Sequence, residues 1–370
     1  MTLKTLGRHL FHQHLKYIVI TLLFLSGLLL ILDLLNNIDD ILSTKNNIVW
    51  ATIEYALLRL PSIMLLMMPF AILLASLLFL SRLSQTQEIL AIKAIGVPFY
   101  RFLFCLLPAG LSMCLLFFTT SEWLIPYTMV KLQNWEQQST GTDPKKQPDP
   151  ISKTAHSLWL KEDNDFIAID SVRYDGKILD GVRIFIRDPN NIITQQITAQ
   201  KAEWLNNDWT LQQGQVVHIS QTNLGSFSLS VENFVDRLWK TSLRPDYIVQ
   251  SSLGAEYLSL LKLSDFSKPD FVGANSKYYY ESWFYRRIFA PLSCLIMILL
   301  ASPNAQLIPR RTTLSHNILI SIGLGFLYFV LDGILLTFGQ TGILQPLLAA
   351  IAPLLIFTAV GFWGLIRSDE

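Results

Sequence analysis

Apolar residues are gathered into six blocks, Tyr17–Leu35, Leu60–Leu80, Phe102–Ser121, Ile288–Ile308, Ile318–Phe338 and Ile343–Leu365. Each is about 20 residues long, enough to cross about 30 Å of hydrocarbon at 1.5 Å per residue, so the pattern predicts six spanning helices. Between the third and fourth blocks the pattern changes. Gln133–Pro150 is polar and proline-bearing and reads as a linker, after which short alternating runs begin. Val182–Arg187 and Phe227–Val231 put apolar side chains on one face in turn, and Trp204–Trp209 reads as a strand, an Asn/Asp turn and a returning strand. With Leu158–Leu160, Phe166–Ile169, Ile193–Ala199 and Val216–Ile219 the count reaches seven or eight short strands, the pattern of an antiparallel sandwich or jelly roll. Leu253–Leu263 looks helical, and Tyr278–Arg287 leads back to the membrane. The expected organisation is three spans over 1–130, an antiparallel all-β periplasmic jelly-roll domain with its return linker over 131–275, and three more spans over 276–370.

Charge fixes the expected orientation. Lys4, Arg8 and Lys16 precede the first block, Arg82, Lys93 and Arg101 lie between the second and third, Arg310 and Arg311 between the fourth and fifth, and Arg367 follows the sixth. All fall on one side, and short basic connections favour the cytoplasm. Both termini are therefore expected in the cytoplasm and the β domain outside, in the periplasm of a two-membrane bacterium. The first block is long and has no small-x-small cleavage pattern before Asp33, so it reads as an uncleaved anchor in an inner membrane. Within the blocks, Asp33 lies near one end of the first and Asp332 in the second half of the fifth. Each would cost about 2.5–3.5 kcal/mol at mid-bilayer, so depth or a partner must relieve it.

Composition narrows the chemistry. The chain has 370 residues, is 51% apolar and carries a net charge of +1 without a concentrated basic face, which argues against nucleic-acid binding. Cys105, Cys114 and Cys294 all fall within blocks and read as apolar filler, and Met64, Met67 and Met68 as packing residues. His9, His12 and His14 read as a solvated cluster facing the headgroups rather than as metal ligands. No phosphate-cradle, zincin or nucleophile-elbow motif occurs, no cofactor is called for, and an enzyme is the weaker class.

Ser81–Tyr100, reading SRLSQTQEILAIKAIGVPFY, is too polar to span yet helical in pattern. Ile89, Ile92 and Ile95 share a face, Gln85, Glu88 and Lys93 lie elsewhere, and Gly96 and Pro98 supply a stop. It fits either a connector on the membrane surface or a helix that docks a soluble motor subunit.

These residues resemble the LptF/LptG permease family. The likeness rests on SRLSQTQEILAIKAIGVP at 81–98, SEWLIP at 121–126, AEWLNNDWTLQQGQVV at 202–217, WKTSLRPD at 239–246 and GLGFLYFVLDGI at 323–334. The last two look closer to the LptG branch than to the LptF branch. The resemblance implies a permease that, with a cytoplasmic ABC ATPase dimer and a second, LptF-like permease, extracts lipopolysaccharide from the inner membrane. It implies a β jelly roll continuous with others in a periplasmic bridge, including that of a single-span LptC-like protein. It also makes 81–98 the coupling helix, with Glu88 at the position that engages the ATPase groove and Arg82, Ile92 and Gly96 beside it. The sequence departs from the family where relatives carry lysines at the outer end of helix one; here the stretch holds Asp33, Asn36, Asn37, Asp39 and Asp40. Residues 304–311, NAQLIPRR, also lack the glycine-bearing loop of relatives.

A doubly phosphorylated headgroup needs cations, and Lys45, Arg59, Arg286 and Arg287 are the outer-side bases that qualify. Acyl chains are expected to meet Leu28, Leu32, Phe326 and Phe329. Readings from other classes are a mechanotransmitting ABC subunit that carries no lipid and a membrane scaffold.

Overall fold

The computed structural model describes residues 3–43, 48–89, 94, 99–140, 158–162, 164–173, 176–189, 192–205, 207–221, 227–252, 254–268, 275–306 and 314–369. The chain divides into two compact units, Met1–Thr142 with Glu281–Glu370, and Asp143–Tyr280.

The first unit is helical. It holds α1 (Leu3–Asn36), α2 (Ile38–Ser43), α3 (Ile48–Gln85), α4 (Phe99–Phe104), α5 (Leu107–Thr119) and α6 (Ile125–Thr140) before the second unit. After it come α9 (Lys277–Phe289), which begins in the second unit, then α10 (Ser293–Gln306), α11 (Leu314–Gln340) and α12 (Pro346–Asp369). Among the described residues, six stretches are long and apolar enough to cross a membrane: Gly7–Asn36, Ile48–Gln85, Phe102–Gln133, Lys277–Pro303, Ile322–Gln340 and Pro346–Arg367. The six predicted spans are therefore present, with longer helices around them. α3 has 38 residues, about 57 Å, and is longer than the hydrocarbon, about 30 Å, that it would cross.

α3 is the hub. Its buried stripe, from Met68 through Ile72, Ala75 and Phe79 to Leu83, packs on α1, α10 and α11. Helices come close where a side chain is missing: a methyl group added at Gly110 of α5 would stand 2.7 Å from Ile298 of α10, and one at Gly325 of α11 2.8 Å from Phe70 of α3. α1 is the least buried span. The polar stretch from Gln133 is helical as far as Thr140 rather than a linker, because Trp135 packs its ring on Tyr55 of α3 at 5.5 Å. Residues 141–150 lie outside the described residues.

The second unit is a six-stranded antiparallel sheet in simple order: β1 (Leu158–Glu162), β2 (Asp165–Arg173), β3 (Ile178–Arg187), β4 (Ile193–Leu205), β5 (Asp208–Gln221) and β6 (Phe227–Trp239). The antiparallel β domain is as expected, and so is the turn at 204–209, where Leu205 pairs with Asp208 and Asn207 takes a left-handed φ of 73°. Among the described residues the strands are fewer and longer than the seven or eight expected, for a physical reason. Asp170, Gly181, Gln200, Gln213 and Val235 form one row across the sheet at which every ladder from β2 to β6 skips a pair while the register stays unchanged. Gly181 (φ 65°) and Gln213 (φ 50°) are left-handed there. The row is a crease. Inward side chains change phase on crossing it: Leu179 then Val182, Ala199 then Ala202, Leu211 then Val216 all stay buried. A period of two broken in mid-strand reads as two short strands in sequence.

The crease encloses a core of Leu160, Ile167, Ile184, Ile197, Trp209 and their neighbours. WKTSLRPD closes one end of it. Thr241 and Ser242 donate to the Glu162 carboxylate of β1 at 2.6 and 2.7 Å, and the Leu243 carbonyl accepts the Trp209 indole N–H at 2.8 Å. On the outer surface Lys201 donates to Glu203 and holds that carboxylate below its usual range. What this pair adds to stability is present at neutral pH and lost as pH falls through the lowered value, and the pair's exposure keeps it small.

In place of one helix over Leu253–Leu263 there are α7 (Pro245–Ser252), a 3₁₀ turn Ala255–Tyr257 and α8 (Leu260–Phe266), the break falling at the extended Gly254.

Candidate functional site

The segment expected as one helix over 81–98 is divided. α3 runs on to Gln85, so Arg82 belongs to the last turn of a spanning helix. Gln87 then adopts φ 63° and the chain turns before Glu88 and Ile89 resume helical backbone. Thr86 fixes that turn: its backbone N–H donates to the Arg82 carbonyl at 2.9 Å and its hydroxyl to Glu88 Oε1 at 3.0 Å. Glu88 is exposed and Ile89 buried. Ile92 and Gly96 lie outside the described residues.

Arg82 points to α1 instead of to solvent alone. Its guanidinium donates to the Tyr17 hydroxyl at 2.9 Å and lies 6.0 Å from that ring's centre. One turn earlier on α1, His14 Nε2 is 2.9 Å from Ser76 Oγ and the imidazole stacks on Phe79 at 5.1 Å. His14 is fully buried, unlike the exposed His9 and His12, so the expected headgroup-facing histidine cluster does not form. Leu10, His14 and Ile18 recur at helical spacing, and all three are on the buried stripe.

At the other end of the helices the arginines are paired. Arg59 of α3 reaches Asp33 of α1 at 3.2 Å, and the Tyr55 hydroxyl donates to the same carboxylate at 2.9 Å. Arg286 of α9 meets Asp332 of α11 at 2.6 Å and rests 5.2 Å from the centre of the Trp283 ring. Arg287 is buried; it donates to the Ser121 carbonyl at 2.6 Å with the Glu122 carboxylate 3.9 Å away. Ser121 and Glu122 belong to a single π-helical stretch, Thr120–Leu124, within SEWLIP. The π register would take the Ser121 carbonyl to Pro126, which has no N–H, and Arg287 satisfies it instead.

Three of the four apolar residues expected to meet lipid are exposed. Leu28 is 55% exposed, Leu32 51% and Phe326 67%, while Phe329 is half-buried against Tyr328. α1 and α11, which carry them, both pack on α3. Lys45 lies outside the described residues. Lys131 of α6 was missed by sequence reasoning: it is exposed, stands 4.5 Å from the centre of the Tyr127 ring and has no carboxylate partner among the described residues. Its position ten residues past the predicted end of span three could have found it.

A chain of this kind is a multi-pass membrane protein whose charged groups join helix to helix. It belongs to the LptF/LptG family: the family described as lipopolysaccharide export system permease LptF/LptG matches residues 8–367. Two relatives bear the name lipopolysaccharide export system permease protein LptG. That of Haemophilus influenzae is 25% identical over 374 residues, spanning all of both chains. That of Escherichia coli K12 is 26% identical over 318 residues, 85% of each chain. The likeness to the LptG branch read from WKTSLRPD and YFVLD agrees with both. As a permease of this family the chain is a transport component rather than a catalyst.

Proposed function

We propose that this chain is one of two permease subunits of an inner-membrane ABC transporter that extracts lipopolysaccharide and passes it to a periplasmic bridge toward the outer membrane. Both termini then lie in the cytoplasm and the β unit in the periplasm. The observation that carries the reading is the exposed apolar face on α1 and α11, where Leu28, Leu32 and Phe326 offer acyl chains more contact than the protein's own packing takes up. Removing an acyl chain from such a face costs about 0.8 kcal/mol per methylene. Expulsion therefore needs an external motor, and we assign that to a separate ATPase dimer docked through the turn at Arg82 and Glu88. The second permease is LptF-like, and a single-span LptC-like protein continues the bridge from the β unit, whose apolar inner face receives the acyl chains.

Copurification from detergent with mass spectrometry of proteins and lipids is the direct test. An ATPase, a second six-span permease and lipopolysaccharide in one complex are expected; a lone chain carrying only bulk phospholipid would remove the proposal. Alanine at Phe326 and Phe329 together is expected to reduce photocrosslinking to lipopolysaccharide several-fold, and unchanged crosslinking would take these residues out of the lipid path.

A further inference from the structure

The arginines that a phosphorylated headgroup would call on are already engaged. In two of the pairs the acid comes from a helix that presents the open apolar face, Asp33 from α1 and Asp332 from α11. The arginine comes from a neighbour, Arg59 from α3 and Arg286 from α9. In both pairs the arginine is the more exposed partner, 29% against 18% for Arg59 and Asp33, and 26% against 12% for Arg286 and Asp332. A ligand can therefore approach the guanidinium while the acid stays behind it. Arg287 differs: its side chain is 5% exposed and bound to a backbone carbonyl, so it is fixed.

An arginine without a counter-charge at this depth is costly, and a carboxylate supplies two oxygens where a phosphate would supply its own. We propose that Asp33 and Asp332 are placeholder carboxylates. They hold Arg59 and Arg286 while the site is empty and yield them to the phosphates of the lipid headgroup. Binding then unfastens α11 from α9 and loosens α1 from α3, which keep only the Tyr55–Asp33 hydrogen bond of that cluster. The Tyr55 hydroxyl keeps Asp33 hydrogen-bonded after the exchange, and the Trp283 ring keeps Arg286 oriented. The inference rests on the lipid reading of the exposed faces.

The test uses the full-length chain, with the proteins that accompany it, in phosphatidylcholine nanodiscs. Bisphosphorylated lipid A, dephosphorylated lipid A and inorganic phosphate are titrated separately. Asp332→Asn and Asp33→Asn are each expected to bind bisphosphorylated lipid A about three- to tenfold more tightly than the parent, because a competing anion is gone. Arg286→Gln and Arg59→Gln are expected to bind it more weakly, Asp332→Glu like the parent, and dephosphorylated lipid A is expected not to distinguish them. Should Asp332→Asn fail to fold, Asp33→Asn carries the same expectation at an independent pair. Asn variants that bind like the parent, or as weakly as the Gln variants, would overturn the placeholder role while leaving the permease reading intact. The same ranking with inorganic phosphate alone would overturn the lipid assignment of this site. A parent that does not prefer lipid A to phosphatidylcholine would instead remove the reading on which the inference stands.

Discussion

Alanine at Glu88 is expected to lower lipopolysaccharide release by tenfold or more while the chain itself stays folded. Glu88 is exposed, and its one described side-chain bond is from the Thr86 hydroxyl at 3.0 Å, so its removal touches no core. Exposed substitutions of this kind change stability by about 0.5 kcal/mol or less. A carboxylate that becomes buried in a subunit interface is different, since losing one partner of such a pair costs about 2–5 kcal/mol of binding. The measurement is ATPase copurification alongside lipid release per ATP hydrolysed. Glu88→Gln separates charge from shape: it keeps the Thr86 bond and is expected to fail nearly as badly. Normal copurification with full release would sink the assignment.

The largest loss of stability is expected from Trp209→Ala. This side chain is fully buried, meets Trp204 edge-on at 5.2 Å and Trp239 at 6.2 Å, and donates its indole N–H to the Leu243 carbonyl. Removing it leaves a cavity among two other tryptophans and an unsatisfied carbonyl, a loss of about 3–5 kcal/mol in the β unit. Trp209→Phe keeps a ring and loses only the donor, and is expected to cost about 1–2 kcal/mol. Limited proteolysis within 158–239 and near-UV dichroism report on the β unit, while membrane insertion of the six spans is expected to be unchanged. Equal protease resistance in Trp209→Ala and the parent would show that the end closed by residues 240–243 is not what holds the sheet together.

Much of the fold is legible in the sequence because membrane spans advertise themselves by length and apolarity alone. Their ends do not. Gln133–Thr140 looks like a linker because it is polar, and it is helical because Trp135 finds Tyr55, a contact with no local signature. Ile193–Ala199 and Trp204–Leu205 read as separate strands because the crease at Gln200 shifts the inward phase, although the ladder continues through both. The site is legible residue by residue and obscure as pairs. Arg59 and Arg286 stand out as outer-side bases, and Asp33 and Asp332 as acids within apolar blocks, but 26 and 46 residues separate the partners. Matching the few ionisable groups of each span by depth would have joined them. Gln87 shows a different limit: nothing in SQTQEI marks the left-handed residue that turns a continuous helical pattern into the end of one helix and the start of another.

The fastening of α1 has a mechanical consequence. Among the described residues its hydrogen bonds to other helices lie at His14 and Tyr17 toward one end and at Asp33 toward the other. From Ile18 to Leu32, a run of about 22 Å, the contacts are mainly apolar, and the buried Ser26 turns its hydroxyl back to the Leu22 carbonyl of its own helix. Such a rod is pinned at both ends and greased between, so it resists sliding along its axis but can roll or bow. A push delivered at Arg82 through Tyr17 would bow the stretch between the pins and sweep Leu28 and Leu32 sideways with the polar bonds at its ends intact.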